Sequence, residues 1–142
     1  MSDEPASIAD RLAIDDQLTR YSRAIDTGEW DLLDAIFTPD ALLDYTSSGG
    51  MRGTFPEIKA WLATALPVFA MRQHFVTNRE ITITGDTATS HSYLYNPMGV
   101  RRTDGGLDLF FTGAIYRDHW TRTRDGWRIT ERVLQELWRY GR

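Results

Sequence analysis

The chain has 142 residues, 42% of them hydrophobic and 25% charged, a balance that suits one globular domain and excludes a fibre or a disordered tail. It contains no cysteine, which rules out disulfides, thiolate metal sites and a thiol nucleophile. A net charge of -4, with Arg and Asp/Glu mixed along the chain, argues against nucleic acid as a partner.

Met1 to Asp10 shows neither a basic stretch nor an apolar run, and no 18-residue apolar stretch occurs anywhere, so a soluble, cytoplasmic chain with no membrane association is expected. Ile14, Leu18, Tyr21 and Ile25 recur at steps of four, three and four, the spacing of one helix face. Ser7 with Asp10 resembles a capping box and Gly28 a stop, which predicts a first helix from Ser7 to Asp26. A second short helix is expected from Trp30 to Phe37, broken by Thr38-Pro39-Asp40, and a strand from Ala41 to Thr46, ended by Ser47-Ser48-Gly49-Gly50. Thr54 and Glu57 form a better capping box, opening a third helix with Ile58, Trp61, Leu62, Ala65 and Phe69 on its apolar face and an end near Pro67.

From Gln73 onward the residues are β-branched and aromatic, and turn signals at Gly85-Asp86, Asp104-Gly105-Gly106 and Asp125-Gly126 imply four long antiparallel strands. No repeat or second domain is visible, so residues 1–142 read as a single domain. Helices first and a meander afterwards give an α+β class: three N-terminal helices packed on a curved antiparallel sheet, a cone with an apolar pocket at its mouth.

The chain lacks a Gly-x-Ser-x-Gly elbow, a P-loop, a His-Glu-x-x-His motif and a dinucleotide-binding glycine pattern. His74, His91 and His119 are too scattered for a metal motif, and neither a metal nor a cofactor is expected. Asp26 breaks a local preference, because a carboxylate in the last helical turn faces the negative end of the macrodipole. Such breaches often mark function, although an Asp that merely turns the chain at Asp26-Thr27-Gly28 gives the same pattern. His74 shares a strand face with Val76 and Asn78, and could be a proton acceptor oriented by a carboxylate or a structural residue. Tyr45 could donate a phenol hydrogen bond into the pocket or lie in water. His91 and His119 read as packing or surface residues. The five tryptophans together suggest an aromatic wall, with Trp61 and Phe37 as candidates for it.

Four segments carry a resemblance: Ala24-Ile25-Asp26-Thr27-Gly28-Glu29-Trp30-Asp31, Leu43-Asp44-Tyr45, Gln73-His74-Phe75-Val76-Thr77-Asn78 and Arg124-Asp125-Gly126-Trp127-Arg128-Ile129. With them, nearly the whole chain resembles the SnoaL-like branch of the nuclear transport factor 2-like superfamily, and within it scytalone dehydratase and hexachlorocyclohexane dehydrochlorinase. The resemblance implies a cofactor-free lyase in which Asp26 and His74 are a general-base dyad. It implies that Tyr45 polarises a substrate carbonyl through water and that Arg132 assists a leaving group. Ile25 stands where the dehydratase has a second tyrosine and Arg117 where it has an asparagine, so Arg132 and Arg117 are substrate-binding candidates and neither enzyme's substrate carries over. The fold also hosts isomerases, polyketide or steroid cyclases and noncatalytic binding modules. The expected partner is a small apolar cyclic ligand, and the expected assembly a homodimer or homotrimer.

Overall fold

The computed structural model describes residues 5–141. Helix α1 spans Pro5–Thr27, starting two residues before the expected Ser7, with Pro5 at a position where a missing N–H costs nothing. Ile14, Leu18, Tyr21 and Ile25 are all buried, as their spacing requires. Gly28, at φ 73°, ends the helix. Its N–H donates to the Ile25 carbonyl at 3.3 Å and that of Glu29 to the Ala24 carbonyl at 3.0 Å, the paired bonds of a Schellman stop.

Asp10 does not serve Ser7 as a cap partner. Its carboxylate accepts two bonds from Arg122, at 2.7 and 2.8 Å, and one from Trp127 Nε1 at 3.0 Å, which fastens α1 to the last hairpin. Arg122 first, and then Trp127, hold its pKa down at about 2 against an ordinary 3.8. A depressed carboxylate contributes stability that is complete above the unfolded value of 3.8 and is lost as pH falls through about 2. Urea midpoints measured across that interval are expected to fall less steeply in Asp10→Asn than in the parent chain.

The expected second helix is a 3₁₀ segment, Trp30–Ala35, and Phe37 belongs to the strand that follows, β1 (Phe37–Asp44). The short strand β2 (Arg52–Thr54) leads into α2 (Phe55–Ala65), where Glu57 Oε1 accepts from the Thr54 N–H at 3.0 Å and the Thr54 hydroxyl at 2.7 Å. Thus two α-helices and the 3₁₀ segment Trp30–Ala35 stand where three helices were expected, and two strands, β1 and β2, lie ahead of α2 where one was expected.

Strands β3 (Met71–Arg72), β4 (Phe75–Thr84), β5 (Thr87–Arg101), β6 (Leu107–Thr123) and β7 (Gly126–Tyr140) follow, with no helix after β3 among the described residues. The turns fall where Gly85, Gly105 and Gly126 predicted them, and β4 through β7 pair antiparallel in sequence order. The sheet runs β2-β1-β7-β6-β5-β3, with β4 also on β5. Because β1 lies parallel to β7, the sheet is mixed and not purely antiparallel. Parallel pairing suits the long excursion through α2 and five strands that separates the two.

Side chains from α1, α2 and the inner sheet face form one buried cluster that includes Leu33, Phe37, Ile58, Trp120 and Ile129. Asn78, at φ 49°, sits in an irregular stretch between Thr77 and Glu80 and does not continue the face of His74 and Val76. On the outer face, Phe75, Tyr95, Phe111 and Trp138 form an aromatic ladder, its ring centroids 5.9 to 6.3 Å apart. Among the described residues no helix is long and apolar enough to cross a membrane.

Candidate active site

Between the inner sheet face and the helices lies a cavity of about 280 Å³. Tyr21 and Ile25 of α1, Trp61 and Leu62 of α2, Leu94 and Met98 of β5, Phe110 and Tyr116 of β6 and Leu134 of β7 supply most of its wall. The loop after β1 brings in Tyr45 and Gly50. A Cβ on Gly50 would stand 2.7 Å from the Trp61 ring and 2.9 Å from the Tyr45 carbonyl, so glycine lets that part of the wall close.

His74 lies just ahead of β4 with its ring on the cavity. Asp26 stands behind it in the last turn of α1. One carboxylate oxygen meets His74 Nδ1 at 2.6 Å and the other accepts from the His74 backbone N–H at 2.9 Å. These two bonds fix both the ring and the chain that bears it. With Nδ1–H donating to the carboxylate, Nε2 is left as the basic nitrogen. The His74 side chain is 6% exposed and that of Asp26 23%, so the imidazole is shielded while its partner sits toward the surface.

Arg72 accounts for the tolerance of an acid at a helix C-terminus. Its guanidinium donates to the terminal carbonyls of Ile25 and Asp26, at 3.0 and 3.3 Å, and to those of Leu66 and Phe69, at 3.2 and 3.1 Å. A cation therefore caps the negative end of α1 beside the carboxylate. No sequence motif announced Arg72; a basic residue two positions before His74 was the only trace.

Tyr45 is buried on the cavity, with its hydroxyl 2.7 Å from that of Tyr21. Burial pushes the pKa of Tyr21, Tyr45 and Tyr116 up, which keeps each a neutral O–H donor. Tyr21 was read in the sequence only as a core position, yet it lies one helical turn before Ile25 and supplies a phenol on the same helix face.

Arg132 is fully buried but does not line the cavity. It pairs with Asp118 across the β6–β7 ladder through Nε at 2.7 Å and Nη2 at 2.9 Å. Its guanidinium lies 3.9 Å from the Tyr116 ring centroid and 4.2 Å from that of Tyr21, so the tyrosines stand between the charge and the cavity. Burial would lower its pKa; the Asp118 carboxylate outweighs that and holds it well above the ordinary value.

Trp61 is on the cavity wall. Phe37 is not: it is buried behind the wall, stacked on Phe55 at 5.2 Å and edge-on to Tyr21 at 6.0 Å. Arg117 is on the opposite face of the sheet, exposed and donating to Gln135 Oε1 at 2.9 Å. Its neighbours Tyr116 and Asp118 point inward, and strand alternation sends Arg117 out. Among the described residues no group of three His, Asp or Glu side chains is gathered as a metal-ligand set.

The chain is 44% identical over 131 residues to the uncharacterized protein Rv2910c of Mycobacterium tuberculosis H37Rv, covering 90% of this chain and 86% of that one. Among solved structures, a candidate scytalone dehydratase from Novosphingobium aromaticivorans superposes with a TM-score of 0.83 at 16% identity, over 95% of this chain and 89% of that one. A type 2 hexachlorocyclohexane dehydrochlorinase, LinA, superposes with a TM-score of 0.79 at 20% identity, over 93% and 88%. At such identities these two likenesses establish the nuclear transport factor 2-like fold and nothing finer. The model of the SnoaL-like domain matches residues 6–133, nine-tenths of the chain and every element that builds the cavity except the end of β7, and the chain therefore belongs to the SnoaL-like family.

Proposed function

We propose that the chain is a cofactor-independent lyase, of dehydratase or dehydrohalogenase type, acting on a small, largely apolar cyclic substrate. The observation that carries this is His74, with Nδ1 held by Asp26 at 2.6 Å and its ring presented to a mostly apolar cavity. The fold shared with a candidate dehydratase and with a dehydrochlorinase supports it. In the proposed step Nε2 takes a proton from substrate carbon, the C–H electron pair becomes the new double bond, and the bond to the leaving group breaks. A departing hydroxide recovers the proton from the imidazolium and leaves as water; a departing halide leaves as the anion and the imidazolium returns its proton to solvent. Tyr21 and Tyr45 are hydrogen-bonded to each other, so the hydroxyl that accepts within the pair keeps its own O–H to donate toward the oxygen or halide on which charge develops.

A screen of hydroxylated and halogenated cyclic compounds in D₂O tests this. Loss of water or halide to give the alkene, with no solvent deuterium carried into the product because the deprotonated carbon ends in the double bond, is the expected result, and the loss is to fall sharply in His74→Ala. An isomer of unchanged composition would assign the same dyad to isomerisation. A ligand bound with no reaction in either protein would leave a binding module.

The ladder of Phe75, Tyr95, Phe111 and Trp138 supports the further proposal that a second copy covers the outer sheet face, as a homodimer or homotrimer. Sedimentation equilibrium at micromolar concentration is expected to return two or three times the 16.3 kDa chain mass, and a monomer would remove the idea.

A further inference from the structure

We infer that the substrate carries a recognition hydroxyl, separate from any leaving group, bound by Asn96 and Thr112 on the sheet side of the cavity. This rests on the reading of the cavity as the substrate site and adds the chemistry of what enters it. Phe75 pairs with Tyr95, and the Gln73 N–H donates to the Pro97 carbonyl at 3.1 Å, which sets Asn96 across from His74. Asn96 pairs in turn with Thr112, and Thr112 with Arg139. All four side chains line the cavity, so one polar row crosses it from the dyad to the last strand. The flanking rows on the same face are apolar, Leu94 beside Ala114 on one side and Met98 beside Phe110 on the other.

Both ends of the row are engaged. His74 Nδ1 is held by Asp26, and Arg139 donates to Glu136 Oε1, at 2.6 and 2.9 Å, and to the Ser48 carbonyl at 2.9 Å. Asn96 differs: it is 6% exposed, and its Oδ1 is buried with no hydrogen-bond partner. Folded interiors leave few such acceptors, and one beside a ligand cavity marks where a ligand donor belongs. The carboxamide turns about its Cβ–Cγ bond, so its oxygen can be offered to the cavity. A hydroxyl completes the row, donating to Asn96 Oδ1 while accepting from the Thr112 hydroxyl. A ring halogen has no proton to give, so a wholly halogenated ring leaves the Asn96 oxygen unsatisfied. Adjacent strands lie about 4.8 Å apart, which places this hydroxyl roughly 5–10 Å from the His74 position, the span across one ring or two fused rings.

The test is a binding comparison, independent of turnover. Isothermal titration calorimetry at pH 7 measures 5-indanol and 5-chloroindane, two probes that differ in a hydroxyl against a chlorine. The ratio of their affinities cancels the greater hydrophobicity common to all chlorinated probes when it is compared between variants. Asn96→Leu, a near-isosteric replacement of an unpartnered amide, is expected to move that ratio about tenfold or more toward the chlorinated probe, as sites built to bond a substrate hydroxyl discriminate strongly. Thr112→Val is expected to move it in the same direction by about threefold. Arg117→Ala, on the opposite face of the sheet, is expected to leave it within twofold of the parent. A ratio unchanged within twofold in both Asn96→Leu and Thr112→Val overturns the inference, whatever His74→Ala does to turnover.

Discussion

His74→Ala and Asp26→Asn are each expected to lower kcat on a substrate found by the screen by about 10²- to 10⁴-fold, the usual worth of a positioned general base. The two act as one unit, so the double variant should be little worse than the worse single. The asparagine variant is the sharper probe. Its amide oxygen still accepts from the His74 backbone N–H, now 2.9 Å from Asp26 Oδ2, so the local chain is held. The NH₂ that replaces the other oxygen then faces Nδ1, where it donates and favours the tautomer that carries its proton on Nε2. That is the wrong nitrogen for a base facing the cavity. Thermal unfolding should therefore move little in Asp26→Asn while kcat falls, a separation that a purely structural Asp26–His74 contact would not give. Turnover unchanged by His74→Ala would remove the general-base reading.

Several features encoded within a few residues were legible in the sequence alone, although the Ser7–Asp10 box was not one of them. Gly28 as a stop, the Thr54–Glu57 box and the three hairpin turns depend on local backbone chemistry and were found in place. Pairings between distant segments were not. Nothing near Phe37 signals that it will lie beside Ile129, and Pro39 looked like a break because the ladder irregularity between Phe37 and Leu42 that accommodates it arises only against β7. The site divides in the same way. Asp26, His74 and Tyr45 could be named from local oddity and resemblance, whereas Asn96 and Thr112 acquire meaning only from the register that sets them beside His74. Parity could have rescued Arg117: with the large aromatics Tyr116 and Trp120 turned inward, an odd-numbered neighbour on the same strand faces out. Arg132 could not have been resolved by parity, since whether an inward arginine reaches a ligand or a carboxylate depends on its cross-strand partner.

Asp118→Ala is expected to cost about 3–5 kcal/mol of unfolding free energy, because it leaves the Arg132 guanidinium buried without its counter-charge. Asp118 accepts both of the guanidinium's hydrogen bonds, Nη1 has no partner, and the whole side chain is out of solvent. The rings of Tyr21 and Tyr116 offer only cation–π attraction, about 2 kcal/mol or somewhat more when desolvated, which does not replace a carboxylate. Removing both charges is a different experiment. Arg132→Met with Asp118→Leu keeps the volume apolar and is expected to recover most of the loss, since a buried pair replaced whole by packed hydrophobic side chains is often neutral or better. Urea unfolding of the single and double variants measures this. The double variant also decides what Arg132 does for chemistry, as it removes the charge from a folded protein. The tyrosine rings stand between the guanidinium and the cavity, so kcat in the double variant should stay within about tenfold of the parent, far from the loss expected of a positioned catalytic group. A fall as deep as that of His74→Ala would instead mean that the buried charge reaches the leaving group through the phenols of Tyr21 and Tyr45, and Arg132 would return to the role its sequence position first suggested.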